Sequence, residues 1–140
     1  MADDDAEDCL LVRDALKEMG LPHEVRFVRD GEELFEYLHG SGEHEGRSGS
    51  PLPDLILLDM KMPRKDGRET LRELKGDPRW RKIPVIALTT SLAADDVEYS
   101  YAAGVNSYIA KPASFRQLVK ILDRLCKYWF EIVELPPKGM

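Results

Sequence analysis

The chain carries several acidic side chains, one lysine and a hydroxyl whose positions would let them bind a divalent metal and a phosphoryl group together. Asp59 directly follows an apolar run at 55–58, three acids open the chain, and a lysine precedes a proline near its end. Carboxylate oxygens suit a hard divalent cation, and a compact ammonium suits a phosphoryl oxygen. The candidates are Asp3, Asp4, Asp5, Asp59, Thr89 or Thr90, and Lys111.

Two apolar segments predict the strands that position these groups. Residues 55–58 are four bulky apolar residues in a row, as in a parallel strand that helices cover on both faces, and residues 84–88 form a second such segment. Asp59 therefore lies at the carboxyl end of a strand, which is where open α/β sheets bind their ligands.

Helical periodicity alternates with the strand patterns. The predicted helices cover residues 6–19, a segment that Asp30 caps, residues 67–75, residues 94–103 and a long final segment that Ser114 caps. Further strands are predicted at Val25–Phe27 and at 107–110, and residues 39–53 form a polar loop. This alternation predicts an α/β fold with a parallel sheet covered on both faces.

Composition narrows the possible functions. The 140 residues carry a net charge of -6 and are 43% hydrophobic, as in an ordinary globular domain. The acidic balance argues against nucleic-acid binding, and no apolar run is long enough to span a bilayer. Cys9 and Cys126 lack metal-site spacing, so we expect free thiols in a reducing cytoplasm.

Five motifs in a fixed order give the chain a resemblance to the receiver domains of two-component response regulators, over essentially residues 1–130. They are Asp3-Asp4, Asp59 in DLILLDMKMPRKDG, Thr89 in PVIALTT, Tyr108 in AGVNSYIAKP, and Lys111-Pro112. The resemblance implies a doubly wound, five-stranded parallel sheet with the flavodoxin-like order 2-1-3-4-5, an order for which a receiver is a standard example.

The resemblance also implies a role for each of these residues. Asp59 would accept a phosphoryl group from the phosphohistidine of a histidine kinase. Lys111 and Thr89 would bind phosphoryl oxygens, and Tyr108 would turn inward behind Thr89 as a switch. Mg²⁺ would be held by Asp3, acting mainly through water, and by Asp4, Asp59 and the backbone carbonyl of Lys61.

The chain departs from the receiver pattern at its start and beside the site. Only Met1 and Ala2 precede the acidic pair, so the first strand is truncated. We expect either further residues upstream, which would raise the melting temperature, or a strand reduced to a stub. Lys61 and Ser91 occupy the positions two after Asp59 and Thr89, and neither orients an attacking water well. This predicts a phosphorylated state that lasts minutes to hours.

Residues 131–140 form an unusually apolar tail. It would either fold back on the domain's own core or form a surface for a partner or for a homodimer. Together with the 39–53 loop, the tail resembles the stand-alone regulators that pair with phytochrome-type histidine kinases. The downstream partner would be another protein.

Other functions are compatible with parts of the pattern. A haloacid-dehalogenase-type phosphohydrolase also uses a strand-end aspartate with Mg²⁺, but it needs a second aspartate where Lys61 stands. A degenerate receiver could act as a constitutive binding module. Taken singly, Asp59 could cap a helix, Lys111 could be an exposed turn lysine, and Tyr108 could pack at the rim.

Overall fold

The computed structural model describes residues 1–20, 23–40 and 52–137. Its helices are α1 (Ala6–Met19), α2 (Gly31–His39), α3 (Gly67–Gly76), α4 (Ala94–Ala102) and α5 (Phe115–Lys127), followed by a π-helical turn at Tyr128–Ile132. Its strands are β1 (Ile56–Leu58), β2 (Val85–Thr89) and β3 (Ser107–Ala110). Most of the predicted 39–53 loop lies outside the described residues.

Polar side chains begin the helices where the sequence predicts them. The Asp30 carboxylate accepts a hydrogen bond from the Glu33 amide at 2.9 Å, and the Ser114 hydroxyl accepts one from the Gln117 amide at 3.2 Å. Each contact satisfies an amide that the first turn of a helix leaves unpaired. Helix α1 ends at Gly20, whose φ of 66° places it in the left-handed region that glycine adopts freely.

The three strands form one parallel sheet in the order β1-β2-β3. Ile56 pairs with Val85, and Thr89 pairs with Ala110. All five residues of β2 are buried, as expected of a central strand covered on both faces. The carboxyl ends of β1 and β2 therefore meet at one edge of the sheet.

The first predicted strand is reduced to a single bridging residue. Ala2 makes isolated parallel bridges to Val28 and to Leu58. The predicted strand at Val25–Phe27 is wrong, because the bridge forms at Val28 and, among the described residues, the Arg26 carbonyl accepts only a hydrogen bond from the Met1 ammonium. A partner made of Met1 and Ala2 is too short to form a ladder along the predicted segment. The five-stranded order is therefore not confirmed, since three strands are found in the described part of the chain.

The core lies in two clusters on opposite faces of the sheet. Helices α1 and α5 bury one face through Val12, Ala15, Leu118 and Leu122. Helices α2 and α3 bury the other face, where Leu71 and Leu74 are fully enclosed. Helices on both faces confirm the α/β receiver-like architecture and hold the strand ends rigidly.

The π-helical turn and the tail that follow α5 contact the domain at the end of the sheet opposite Asp59. The Phe130 ring stacks on His23 with centroids 4.3 Å apart. Leu135, Pro136 and Pro137 line a cavity together with residues that precede β1 and β2. Across the described residues, no helix combines the length and the apolar character that crossing a membrane requires.

Candidate functional site

Asp59 lies directly after β1 and is 5% exposed. Its backbone amide donates to the Ala2 carbonyl at 2.9 Å, which fixes its position beside the first bridge. Its side-chain Oδ1 accepts a hydrogen bond from the Thr89 hydroxyl at 2.7 Å and lies 3.3 Å from the Lys61 amide. The other oxygen, Oδ2, faces Lys111. The predicted proximity of Asp59, Thr89 and Lys111 is therefore present.

Three carboxylates form an acidic cluster at this edge. One oxygen from each of Asp3, Asp4 and Asp59 lies within 4.8 Å of the others. Asp3 is buried and Asp4 is exposed, so the cluster opens to solvent on one side. Burial raises the pKa of Asp3, although the neighbouring Lys111 opposes the shift. Carboxylates this close repel one another, and a divalent cation would offset that repulsion.

One buried oxygen in the cluster is suited to accept a hydrogen bond from a metal-bound water. Asp3 Oδ2 accepts no hydrogen bond of acceptable geometry, and its remaining polar contact is an ion pair with Lys111 Nζ at 2.7 Å. A buried carboxylate oxygen without a full set of donors is costly unless a cation or water completes it. All the ligand atoms that the cluster offers are carboxylate oxygens, which hard divalent cations prefer.

Lys111 balances part of this negative charge. Its Nζ lies 2.6 Å from Asp8 Oδ2, 2.7 Å from Asp3 Oδ2 and 3.8 Å from Asp59 Oδ2. Burial disfavours the ammonium, but the adjacent carboxylates of Asp3 and Asp8 outweigh it and raise the pKa of Lys111. The lysine is therefore charged at any physiological pH.

Tyr108 reaches the loop after β2. Its hydroxyl donates to the Ser91 carbonyl at 2.7 Å, and its side chain is half-buried. Burial raises the pKa of the phenol, which keeps it a neutral donor. The resemblance to receiver domains implies that Tyr108 turns inward behind Thr89, and the contact found is with Ser91, two residues after Thr89.

Two residues of the site, Asp8 and Asp96, were not predicted from the sequence. Asp8 pairs with Lys111 across 103 positions of sequence. It lies in the first turn of α1, three residues after the capping Asp5, and nothing in the sequence distinguishes it from the other acids there. Asp96 lies in the first turn of α4, where an acid ordinarily only favours the helix dipole. Its bonds to Ser91 and Arg68 had no sequence signal.

Comparison with known proteins decides the family. Residues 1–123 match the response regulator receiver domain. The chain belongs to this family. It is 41% identical over 136 residues to Response regulator Rcp1 of Synechocystis sp., and the match covers 97% of this chain and 90% of Rcp1. It is also 36% identical over 129 residues to a probable methanogenesis regulatory protein, FilR2, of Methanothrix harundinacea, covering 92% and 81% of the two chains.

Solved structures agree with this assignment. The phosphorylated cyanobacterial phytochrome response regulator RcpA is 43% identical, with a TM-score of 0.87 over 97% of this chain and 95% of RcpA. The Mn²⁺-bound form of Rcp1 is 40% identical, with a TM-score of 0.85 over 97% and 96%. The resemblance to phytochrome-associated regulators is confirmed. This chain is a receiver domain of a two-component response regulator.

Proposed function

We propose that Asp59 is the phosphoacceptor of this receiver domain. The main support is the convergence of a buried aspartate, a hydroxyl donor and a charged lysine at one end of the sheet, beside an acidic cluster. Aspartate is an established nucleophile toward phosphorus in phosphoryl transfer. The donor is the phosphohistidine of a histidine kinase, of the phytochrome type in view of the relatives.

In the proposed transfer, a carboxylate oxygen of Asp59 forms a bond to phosphorus. The phosphorus–nitrogen bond of the donor breaks, and its electron pair goes to the imidazole nitrogen, which takes a proton from solvent. Lys111 binds one phosphoryl oxygen and must give up part of its contact with Asp8 to do so. Thr89 turns its hydroxyl from Asp59 Oδ1 to a second phosphoryl oxygen.

A divalent metal fits the acidic cluster. Asp4 and Asp59 would bind it directly, Asp3 would act mainly through water, and the Lys61 carbonyl would complete the set. When bound, the ion supplies positive charge that offsets the charge of the transferring group. The ion is Mg²⁺ in this proposal; Rcp1 has been solved with Mn²⁺, which accepts a similar oxygen ligand set.

The response passes from Thr89 to Tyr108 through the loop after β2. When Thr89 moves toward a phosphoryl oxygen, the Ser91 carbonyl that holds the Tyr108 hydroxyl shifts with the same loop. The ring of Tyr108 lies on β3, so its rotation would change the outer surface of the sheet. That surface then binds a downstream protein.

The remaining parts of the proposal concern architecture and context. Residues 1–130 form the receiver domain, and residues 131–140 form a tail that contacts the core or a second copy in a homodimer. The bridges of Ala2 support the strand order 2-1-3-4-5, with Val28 and Ala2 as the second and first strands. The protein acts in the cytoplasm, and its own phosphotransfer and dephosphorylation are its only reactions.

The alternatives fit the site less well. A dehalogenase-type hydrolase needs an acid two residues after its nucleophile, and Lys61 cannot replace it because its ammonium pairs with Asp96. A degenerate receiver would lack part of the set that is brought together here.

The proposal is tested by treating the protein with phosphoramidate and Mg²⁺ and measuring its intact mass. We expect the gain of one phosphoryl group, its loss in Asp59→Asn, and no labelling in EDTA. The control Asp14→Asn makes the same change on the exposed side of α1 and should label normally. Labelling that survives Asp59→Asn would refute the assignment of Asp59. A wild type that binds Mg²⁺ but takes no label from phosphoramidate or a kinase would indicate a degenerate receiver.

A further inference from the structure

Asp96 is a buried carboxylate that the proposed chemistry does not use. It lies in the first turn of α4 and is 5% exposed. Its Oδ1 lies 2.9 Å from Nε and 2.8 Å from Nη2 of Arg68, and its Oδ2 accepts from the Ser91 hydroxyl at 2.5 Å. The ammonium of Lys61 lies 3.5 Å from the same Oδ2. Four donors from three separate segments thus converge on one side chain.

These donors include the side chains that flank the Asp59–Thr89 contact. Lys61 is two residues after Asp59 on the loop that follows β1, and Ser91 is two residues after Thr89 on the loop that follows β2. The contact between Lys61 and Asp96 therefore runs from the first loop to the helix that follows the second. It spans the same gap as the 2.7 Å hydrogen bond from Thr89 to Asp59.

The carboxylate is well suited to hold both loops. The hydrogen bond from Ser91 and the contacts with Arg68 and Lys61 lower the pKa of Asp96, although burial opposes the shift. It is therefore ionised at neutral pH. Removing its charge would leave the Arg68 guanidinium and the Lys61 ammonium without their shared partner, so the long side chain of Lys61, 67% exposed, would lose its anchor.

We propose that Asp96 is a positioning residue that lengthens the life of the phosphorylated state by holding Lys61 across the gap between the two loops. The inference rests on phosphorylation of Asp59 as proposed above. It assigns the predicted slow decay of the phosphorylated state to a specific contact, in addition to the lack of a water-orienting amide at Lys61 and Ser91.

The reaction that this contact would slow is hydrolysis of the acyl phosphate. A water oxygen forms a bond to phosphorus as the bond from phosphorus to the Asp59 oxygen breaks. The electron pair of that bond restores the carboxylate, and both water protons leave on dihydrogen phosphate. The water must approach opposite the breaking bond, and a side chain held across the opening leaves fewer such approaches.

The test compares the decay of labelled protein in four variants after the donor is removed. The variants are wild type, Asp96→Asn, Lys61→Met and the double variant, and Lys61→Met keeps the backbone carbonyl proposed for the metal. We expect each single change to shorten the half-life by about threefold or more, which is the lower range for coupling between contacting residues. The double variant should decay no faster than the faster single variant, because both changes remove one contact.

The matched control is Asp95→Asn, which makes the same charge change at an exposed neighbour on the same helix. It should decay at the wild-type rate. Urea denaturation of every variant measures its free energy of unfolding, so that an effect of the lost contact can be distinguished from an effect of unfolding.

Three results would overturn the inference. One is an unchanged half-life in Lys61→Met, which removes the contact from its exposed end with little risk to folding. The second is an unchanged half-life in folded Asp96→Asn. The third is an Asp96→Asn effect that is equally large when Lys61 is already methionine, because the carboxylate would then act without the lysine. A wild type that takes no label would instead refute the proposed function itself.

Discussion

Alanine at Gly67 would place a methyl group against the backbone that carries Asp59. Gly67 is the first residue of α3, and a Cβ there would lie 2.4 Å from the Met60 Cα, 2.6 Å from the Asp59 carbonyl oxygen and 2.9 Å from the Met60 sulfur. Ordinary carbon contacts are about 3.5–4.0 Å. The loop after β1 would therefore have to move by about 1 Å to accept the methyl group.

The cost of that movement follows from what surrounds the loop. Met60 is 2% exposed and Leu71 on the same helix is fully buried, so neither the loop nor the helix can move outward freely. Overpacking a core costs about 1–3 kcal/mol, and we expect about 2–3 kcal/mol because two of the atoms met are backbone. The same shift would disturb the 2.7 Å contact between Asp59 and Thr89, so the labelling rate should fall as well.

The assay is urea denaturation, followed through the fluorescence of the buried Trp80. The matched control is Gly76→Ala at the other end of α3, where a Cβ would meet nothing within 4 Å. Alanine is the better helix former, so this control should gain about 0.5–1 kcal/mol. A Gly67→Ala protein as stable as wild type would refute the reasoning, as would equal losses in both variants.

Further outcomes are expected elsewhere in the domain. Burial raises the pKa of Cys9 to about 11, so its thiolate at pH 8 should be about a hundredfold scarcer than that of an ordinary thiol, and iodoacetamide should label it correspondingly slowly until the protein unfolds. Leu74→Ala should cost about 2–5 kcal/mol in urea denaturation, since the side chain is fully buried. Ser114→Ala should cost about 1 kcal/mol through loss of the α5 cap, by the same measurement. Because the folded state lowers the pKa of Asp96, its contribution to stability should be complete above the ordinary pKa of about 3.9 and be lost as the pH falls through the folded value. The difference in free energy of unfolding between wild type and Asp96→Asn should therefore be constant from pH 7 to about 5 and shrink on further acidification.

Local signals predicted the parts of the fold that local physics determines. The bounds of α1 follow from its periodicity and from Gly20, and the starts of α2 and α5 follow from Asp30 and Ser114, because each capping bond joins residues three apart. The Val25–Phe27 segment alternates correctly for a strand but does not form one. Strand formation depends on a partner, and the partner supplies one bridging residue, Ala2, together with contacts from Met1.

The site, like the fold, contains residues that local sequence predicts and contacts that it does not. Asp59 and Thr89 were predictable because each follows or ends a strand recognisable from its apolar run, and Lys111 was predictable from the motif that it forms with Pro112. The contacts of Asp8 with Lys111 and of Asp96 with Lys61 were not, because each joins segments that are distant in sequence. Nothing in the composition of a helix's first turn tells which of its acids will face a cation from another element.

The single-residue bridges of Ala2 make the stability of the chain's first residues inseparable from that of the acidic cluster. Five hydrogen bonds hold this segment: Ala2 to Leu57, Asp59 to Ala2, Asp3 to Val28, Val28 to Met1, and the Met1 ammonium to the Arg26 carbonyl. Opening them would carry Asp3 away from Asp59, so local unfolding and dispersal of the carboxylates would be one event. A cation bound only by the assembled carboxylates would raise the free energy of that opening by RT ln(1 + c/Kd), where c is the concentration of the free ion. Amide hydrogen exchange at Ala2, Asp3 and Asp59 would thus serve as a titration curve for the ion.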